Sequence, residues 1–300
     1  MNAYIKALRL PFLAGSLTPV IIGSAFALYD KCFSFMMFLL CLIGMAGLHL
    51  GANLANDYFD ASGSDPINLR LTPFSGGSRV IQDSEVSPRL ILLMALFLFA
   101  VGAGVGIWLI FLGRPVVIIL GFIGLGAGWS YSAPPLQFMS RGWGELLIFF
   151  AFGPLVTLGT YYVMSDSLNW TAFALGLPHG FFITGVIWIN QFPDYEADLE
   201  AGKKNLVVRL GPSISRYLFF AIMLSAFISV IFLISSVGLS YLLMLSFVAL
   251  PLAIKAMKIL WKEYSSHRGV IPAQALTIQS LLVHGMLLSV GLILSRFVGN

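Results

Sequence analysis

Nine stretches of about 20 mostly apolar residues, near 11–29, 33–55, 90–111, 115–132, 144–164, 170–190, 217–236, 238–260 and 274–296, constrain this chain more than any other feature. A helix of that length crosses the hydrocarbon core of a bilayer and satisfies its own backbone hydrogen bonds, which lipid cannot do. The expectation is an all-α membrane protein, a bundle of nine transmembrane helices in a single domain over residues 1–300. Composition agrees, with only 10% charged residues, against roughly a quarter in soluble domains. Lys6 and Arg9 precede the first run as in a signal peptide, but no small-residue cleavage site follows, so the run is taken as the first span. Cys32 and Cys41 lack CxxC spacing or clustered histidines and are expected to pack without chemistry.

Orientation follows from the basic residues. Fourteen of the seventeen fall at the N-terminus or in even-numbered connections, and only Lys31, Arg114 and Arg296 lie on the other side. By the positive-inside rule the N-terminus is cytosolic in a multi-pass protein of the cell membrane. That bias and attraction to anionic lipid account for the +4 net charge, and there is no basic-aromatic stripe to suggest a nucleic-acid partner.

Acidic residues barely affect orientation, yet nine of thirteen crowd two connections on the cytosolic side, 56–89 and 191–216. If the second helix continues past the membrane edge, His49, Asn53, Asn56, Asp57 and Asp60 share about 100° of its surface. Gly63 and Pro66 end the helix, leaving Asp65 on a turn that folds back toward that face. On the sixth helix Asn190, Asp194 and Asp198, at i, i+4 and i+8, repeat the arrangement. Two such clusters repel unless divalent cations sit between them. Hard oxygen ligands suit magnesium, which completes its octahedron with waters and phosphate oxygens. Arg70, Arg79, Gln82 and the glycine pair between them, with Lys203 and Lys204 after the second cluster, are candidates for holding a diphosphate. The bland alternatives are solvated loop charges for the carboxylates, a lipid-facing anchor for Arg79 and membrane orientation alone for Lys203 and Lys204. A transporter is the rival class, but its ionisable groups belong near the midplane in an inverted repeat, whereas these crowd one interface of two parallel helices.

The segments Asn56-Asp57-Tyr58-Phe59-Asp60 with Asp65 beyond, and Asp194-Tyr195-Glu196-Ala197-Asp198 followed by Gly202-Lys203-Lys204, resemble the two aspartate motifs, NDxxDxxxD and DxxxD, of the UbiA superfamily of intramembrane prenyltransferases. The similarity spans almost the whole chain. One departure is that four residues, not three, separate Asp60 from Asp65. Within the superfamily, Asn190-Gln191-Phe192-Pro193-Asp194, Tyr131-Ser132-Ala133-Pro134-Pro135 and Arg141-Gly142-Trp143-Gly144-Glu145 are most similar to 1,4-dihydroxy-2-naphthoate polyprenyltransferases of menaquinone synthesis. Relatives acting on 4-hydroxybenzoate or other acceptors, and terpene cyclases on the same frame, share the aspartate motifs.

The resemblance implies Mg2+-dependent transfer of a polyprenyl group from its diphosphate to an aromatic acceptor. Asn56, Asp57, Asp60, Asp65, Asp194 and Asp198 would hold the metal. For the naphthoate acceptor the ring carboxylate also leaves as carbon dioxide. His49, with Asn53 one turn on, and Tyr131 are the candidates for touching the acceptor. His179 is assigned to packing, and the tail chamber is expected to open sideways to membrane lipid.

Overall fold

The computed structural model describes residues 3–298, all helices and connections apart from one isolated bridge between Thr72 and Ser75. The helices used below are α1 (Leu13–Tyr29), α2 (Phe35–Asp60), α3 (Pro88–Phe111), α4 (Val117–Ser130), α5 (Gly144–Phe152), α6 (Pro154–Ser165), α7 (Leu177–Glu200), α8 (Pro212–Ser235), α9 (Leu250–Glu263) and α10 (Ile271–Val298). Among the described residues eight helical segments are long and apolar enough to span a bilayer. The expected fourth span is the exception. Gly113 and Pro115 delay its start, and a turn beginning at Tyr131 stops it, so α4 has 14 residues, about 21 Å of rise against the roughly 30 Å of a hydrocarbon core.

Local sequence explains the ends that matter. Ser34 caps α2 by accepting from the Met37 amide at 3.4 Å, and Ser87 caps α3 ahead of Pro88 in its first turn. Without an internal breaker α2 runs for 26 residues, about 39 Å. That exceeds the apolar core, and its last turns carry Asp57 and Asp60 beyond the apolar run.

Packing places the two acidic helix ends together. One buried apolar cluster knits α7 to α8, α9 and α10 through Phe182, Phe219, Met223, Leu260 and Leu281. A second ties α1 to α6, α8 and α10 through Ile22, Phe26, Tyr161, Leu233 and Leu288. A third, Ala7, Leu54, Val80, Val86 and Ile91, anchors the connection after α2 beneath the first residues of the chain. These clusters hold α2 and α7 so that both line one interior cavity.

Candidate active site

Both acidic clusters lie at one end of that cavity, as their spacing predicts. Asp60, Asp65, Asp194 and Asp198 line its wall. Asp65 folds back on a short turn, Asp65–Ile67, and is buried despite the extra residue before it. Gly76 and Gly77 both have positive φ, 84° and 72°, a conformation open to glycine at little cost. A side chain on Gly77 would meet the Asp65 carboxylate. Asp57 sits just behind the wall, with Oδ1 accepting from the Ser78 amide at 3.3 Å and Oδ2 buried without a partner.

Lys203 joins the two motifs. Its Nζ is 2.7 Å from Asp60 Oδ2 and 3.2 Å from Asp198 Oδ1. Burial disfavours that ammonium, but the charges of Asp60 and Asp198 outweigh it and raise its pKa above the ordinary lysine value. Asp65 moves the other way in charge: burial first, then Asp60 and Asp57, push its carboxyl well above the usual range. Asn205 donates to Asp198 Oδ2 at 2.8 Å, and Asn68 donates to Asp194 Oδ1 at 2.7 Å. The connection carrying Asn68 is strapped to α7 twice more, by Asn190 donating to the Phe74 carbonyl and by an Arg70–Glu196 ion pair. His267 reaches its Leu71 carbonyl.

Deeper in the cavity, Asn53 donates to His49 Nε2 at 3.0 Å, which leaves the ring proton on Nδ1, 2.6 Å from Ser16 Oγ. Asn56 binds Ser132 Oγ at 3.1 Å, drawing the turn after α4 against α2. Tyr131 and Asn190 are also on the wall.

Four expected diphosphate contacts are elsewhere. Arg79 donates to the Asp65 backbone carbonyl and so braces the acidic turn from outside. Arg70 is spent on Glu196 at the surface. Gln82 is off the cavity wall. Lys204 is exposed and off the cavity wall, its amide donating to the Ser140 carbonyl and its own carbonyl accepting from Arg209. Conversely, sequence reasoning counted Arg9 only as an orientation marker, yet it lines the cavity, stacked on Phe12 at 4.7 Å. Ser16, Asn68, Asn205 and Glu145 were also missed. Glu145 is buried and accepts from Gln191 and the Leu206 amide, pinning the segment after Lys203. Only Asn205 had a local signal, as the cap of Leu206–Leu210. His179 packs, with Nε2 2.8 Å from the Gly15 carbonyl. Cys32 and Cys41 are free thiols.

The UbiA prenyltransferase family model matches residues 16–294. The chain belongs to that family. It is therefore an integral membrane prenyltransferase. It is 29% identical over 261 residues to 1,4-dihydroxy-2-naphthoate octaprenyltransferase of Mycobacterium tuberculosis, covering 84% of each chain. It is 28% identical to the enzyme of that name from Escherichia coli, covering 99% of this chain and 96% of that one. Among solved structures, the fold is similar to an apo UbiA homolog from Aeropyrum pernix K1, with TM-score 0.72, 16% identity and coverage of 95% and 98%. It is also similar to a UbiA homolog from Archaeoglobus fulgidus bound to DMAPP and Mg2+, with TM-score 0.64, 17% identity and coverage of 96% and 99%.

Proposed function

We propose that this enzyme transfers a polyprenyl group from its diphosphate to 1,4-dihydroxy-2-naphthoate, with the site on the cytosolic side of the cell membrane. The observation that carries the reading is one cavity with two chemistries. Carboxylates, amides and Lys203 line one end, and Leu40, Leu109, Leu120 and Val163 line the other. A diphosphate with a long apolar tail has the same polarity along its length. The naphthoate acceptor is supported by the relatives that carry it in their names.

A divalent cation fits the polar end. Asp60, Asp65, Asp194 and Asp198 line that end, Asp57 Oδ2 is buried behind it without a partner, and the donors are hard oxygens of the kind magnesium prefers. Among the described residues no three acidic, histidine or cysteine side chains are already gathered around one point, so substrate phosphate oxygens and waters would complete the coordination. Asn56, Asp57, Asp60, Asp65, Asp194 and Asp198 would hold the ion. Magnesium would supply positive charge against the charge that builds on the departing diphosphate.

The protein's own groups do the rest. Lys203 and the backbone at Gly76 and Gly77 bind the diphosphate end. Tyr131 stands between that end and the tail. His49 and Asn53 orient the acceptor ring, and Arg9 offers its guanidinium to the acceptor carboxylate. As the C1–O bond breaks, the electron pair leaves with diphosphate, the electron-rich ring forms the new C–C bond, and the ring carboxylate departs as carbon dioxide, returning its bond pair to the ring and restoring aromaticity.

The test is purified protein with magnesium and a prenyl diphosphate, supplied with dihydroxynaphthoate, 4-hydroxybenzoate or no acceptor, products being read by mass spectrometry. Prenylated naphthoquinol is expected only in the first. A prenylated benzoate or an acceptor-free terpene product would replace this reading. For sidedness, Glu196→Cys is expected to react with an impermeant maleimide in inside-out vesicles and not in right-side-out ones.

A further inference from the structure

We infer that the apolar stretch beyond Tyr131 is a length gauge for the prenyl tail, marked along α4 by Gly124 and Gly121 and running on toward Leu109 and Val163; this inference rests on the prenyl-transfer reading above. The cavity follows α2 from Asp60 to Leu40, 20 residues and so about 30 Å of helix rise. An extended isoprene unit advances four carbons, about 5 Å from bond lengths near 1.5 Å. The first turns of the cavity belong to the diphosphate end; beyond Tyr131 the 14 residues back to Val117 give about 21 Å of rise, so the apolar path holds about four units, and a longer tail has to leave it for lipid.

Its width comes from missing side chains. Val117, Gly121, Gly124, Gly128 and Tyr131 recur at helical spacing and put one face of α4 on the cavity. A Cβ at Gly121 would meet no atom within 4 Å, and one at Gly124 only the tip of Leu48, at 3.7 Å. Leu109 and Val163 are each 4% exposed, and the Arg114 side chain donates to the Val163 carbonyl at 2.7 Å. Distances along α4 from Tyr131 place Gly124 about 10 Å and Gly121 about 15 Å down the path, opposite the second and third isoprene units.

A leucine at either glycine intrudes into the path while raising helix propensity. For Gly121→Leu, kcat/KM with dimethylallyl and geranyl diphosphates is expected to stay within about twofold of the parent. With hexaprenyl diphosphate it should fall at least about tenfold, since each displaced methylene forfeits burial. Gly124→Leu should give the same pattern with the cut-off about one unit shorter, and it stands in if Gly121→Leu does not insert. Gly126→Leu is the control, because Gly126 lies on the exposed side of the same helix with open space around it; it should leave every chain length unchanged. Equal losses at all lengths, no losses, or a cut-off that does not shift between the two variants overturns the gauge. Failure of the parent chain to transfer any of these prenyl groups overturns the proposed reaction instead.

Discussion

Asp60→Ala and Asp194→Ala are each expected to lower kcat for prenyl transfer at least about a hundredfold, the scale on which removing one preorganised electrostatic group is felt. Each carboxylate faces the polar end of the cavity from a different motif, and the close polar side-chain partners are Lys203 for Asp60 and Asn68 and Ser75 for Asp194. The substitutions do not strand a buried charge. Lys203 keeps Asp198 when Asp60 is lost, and Asn68 is neutral. Both variants should thus elute as folded protein in detergent with a near-parental melting temperature. Near-normal turnover of either at saturating magnesium would mean that the carboxylates are bystanders.

Lys203→Met should act on stability as well as rate. The ammonium lies between Asp60 and Asp198 with 11% of its side chain exposed. Removing it leaves two buried carboxylates uncompensated, a change that costs about 3–5 kcal/mol when one partner of a buried pair is deleted. The melting temperature in detergent without divalent ions is expected to fall by several degrees. Added magnesium should raise it more in the variant than in the parent, because the ammonium no longer competes for the same oxygens. Equal magnesium responses in the two proteins would show that Lys203 and the metal do not share a site.

How much of this was legible in the sequence depended on the range of the interaction. The spans, and the meeting of Asp57, Asp60, Asp194 and Asp198 at one end, follow from hydropathy and helical spacing, which are local. Asp65 joined them because a turn at a proline reverses the chain within a few residues. The short α4 was misjudged in length, since an apolar run continues through Tyr131 and Ala133 although the helix stops at Ser130. The basic residues were harder. Lys203 and Lys204 are neighbours with identical chemistry, and only the folded chain places Lys203 between Asp60 and Asp198 while leaving Lys204 exposed. Arg9 and Ser16 approach His49 across more than thirty residues of chain, and no spacing rule announces such a contact.

The strapped connection between α2 and α3 bears on fidelity. An allylic carbocation is captured by whatever nucleophile reaches it first, and water is the most abundant one. Four polar ties, Asn68 to Asp194, Phe74 to Asn190, Arg70 to Glu196 and Leu71 to His267, hold the connection over the end of the cavity nearest water. Weakening them is expected to shift the products from alkylated acceptor toward prenyl alcohol, a ratio that mass spectrometry reads directly. An enzyme with loosened ties would therefore become wasteful before it became slow.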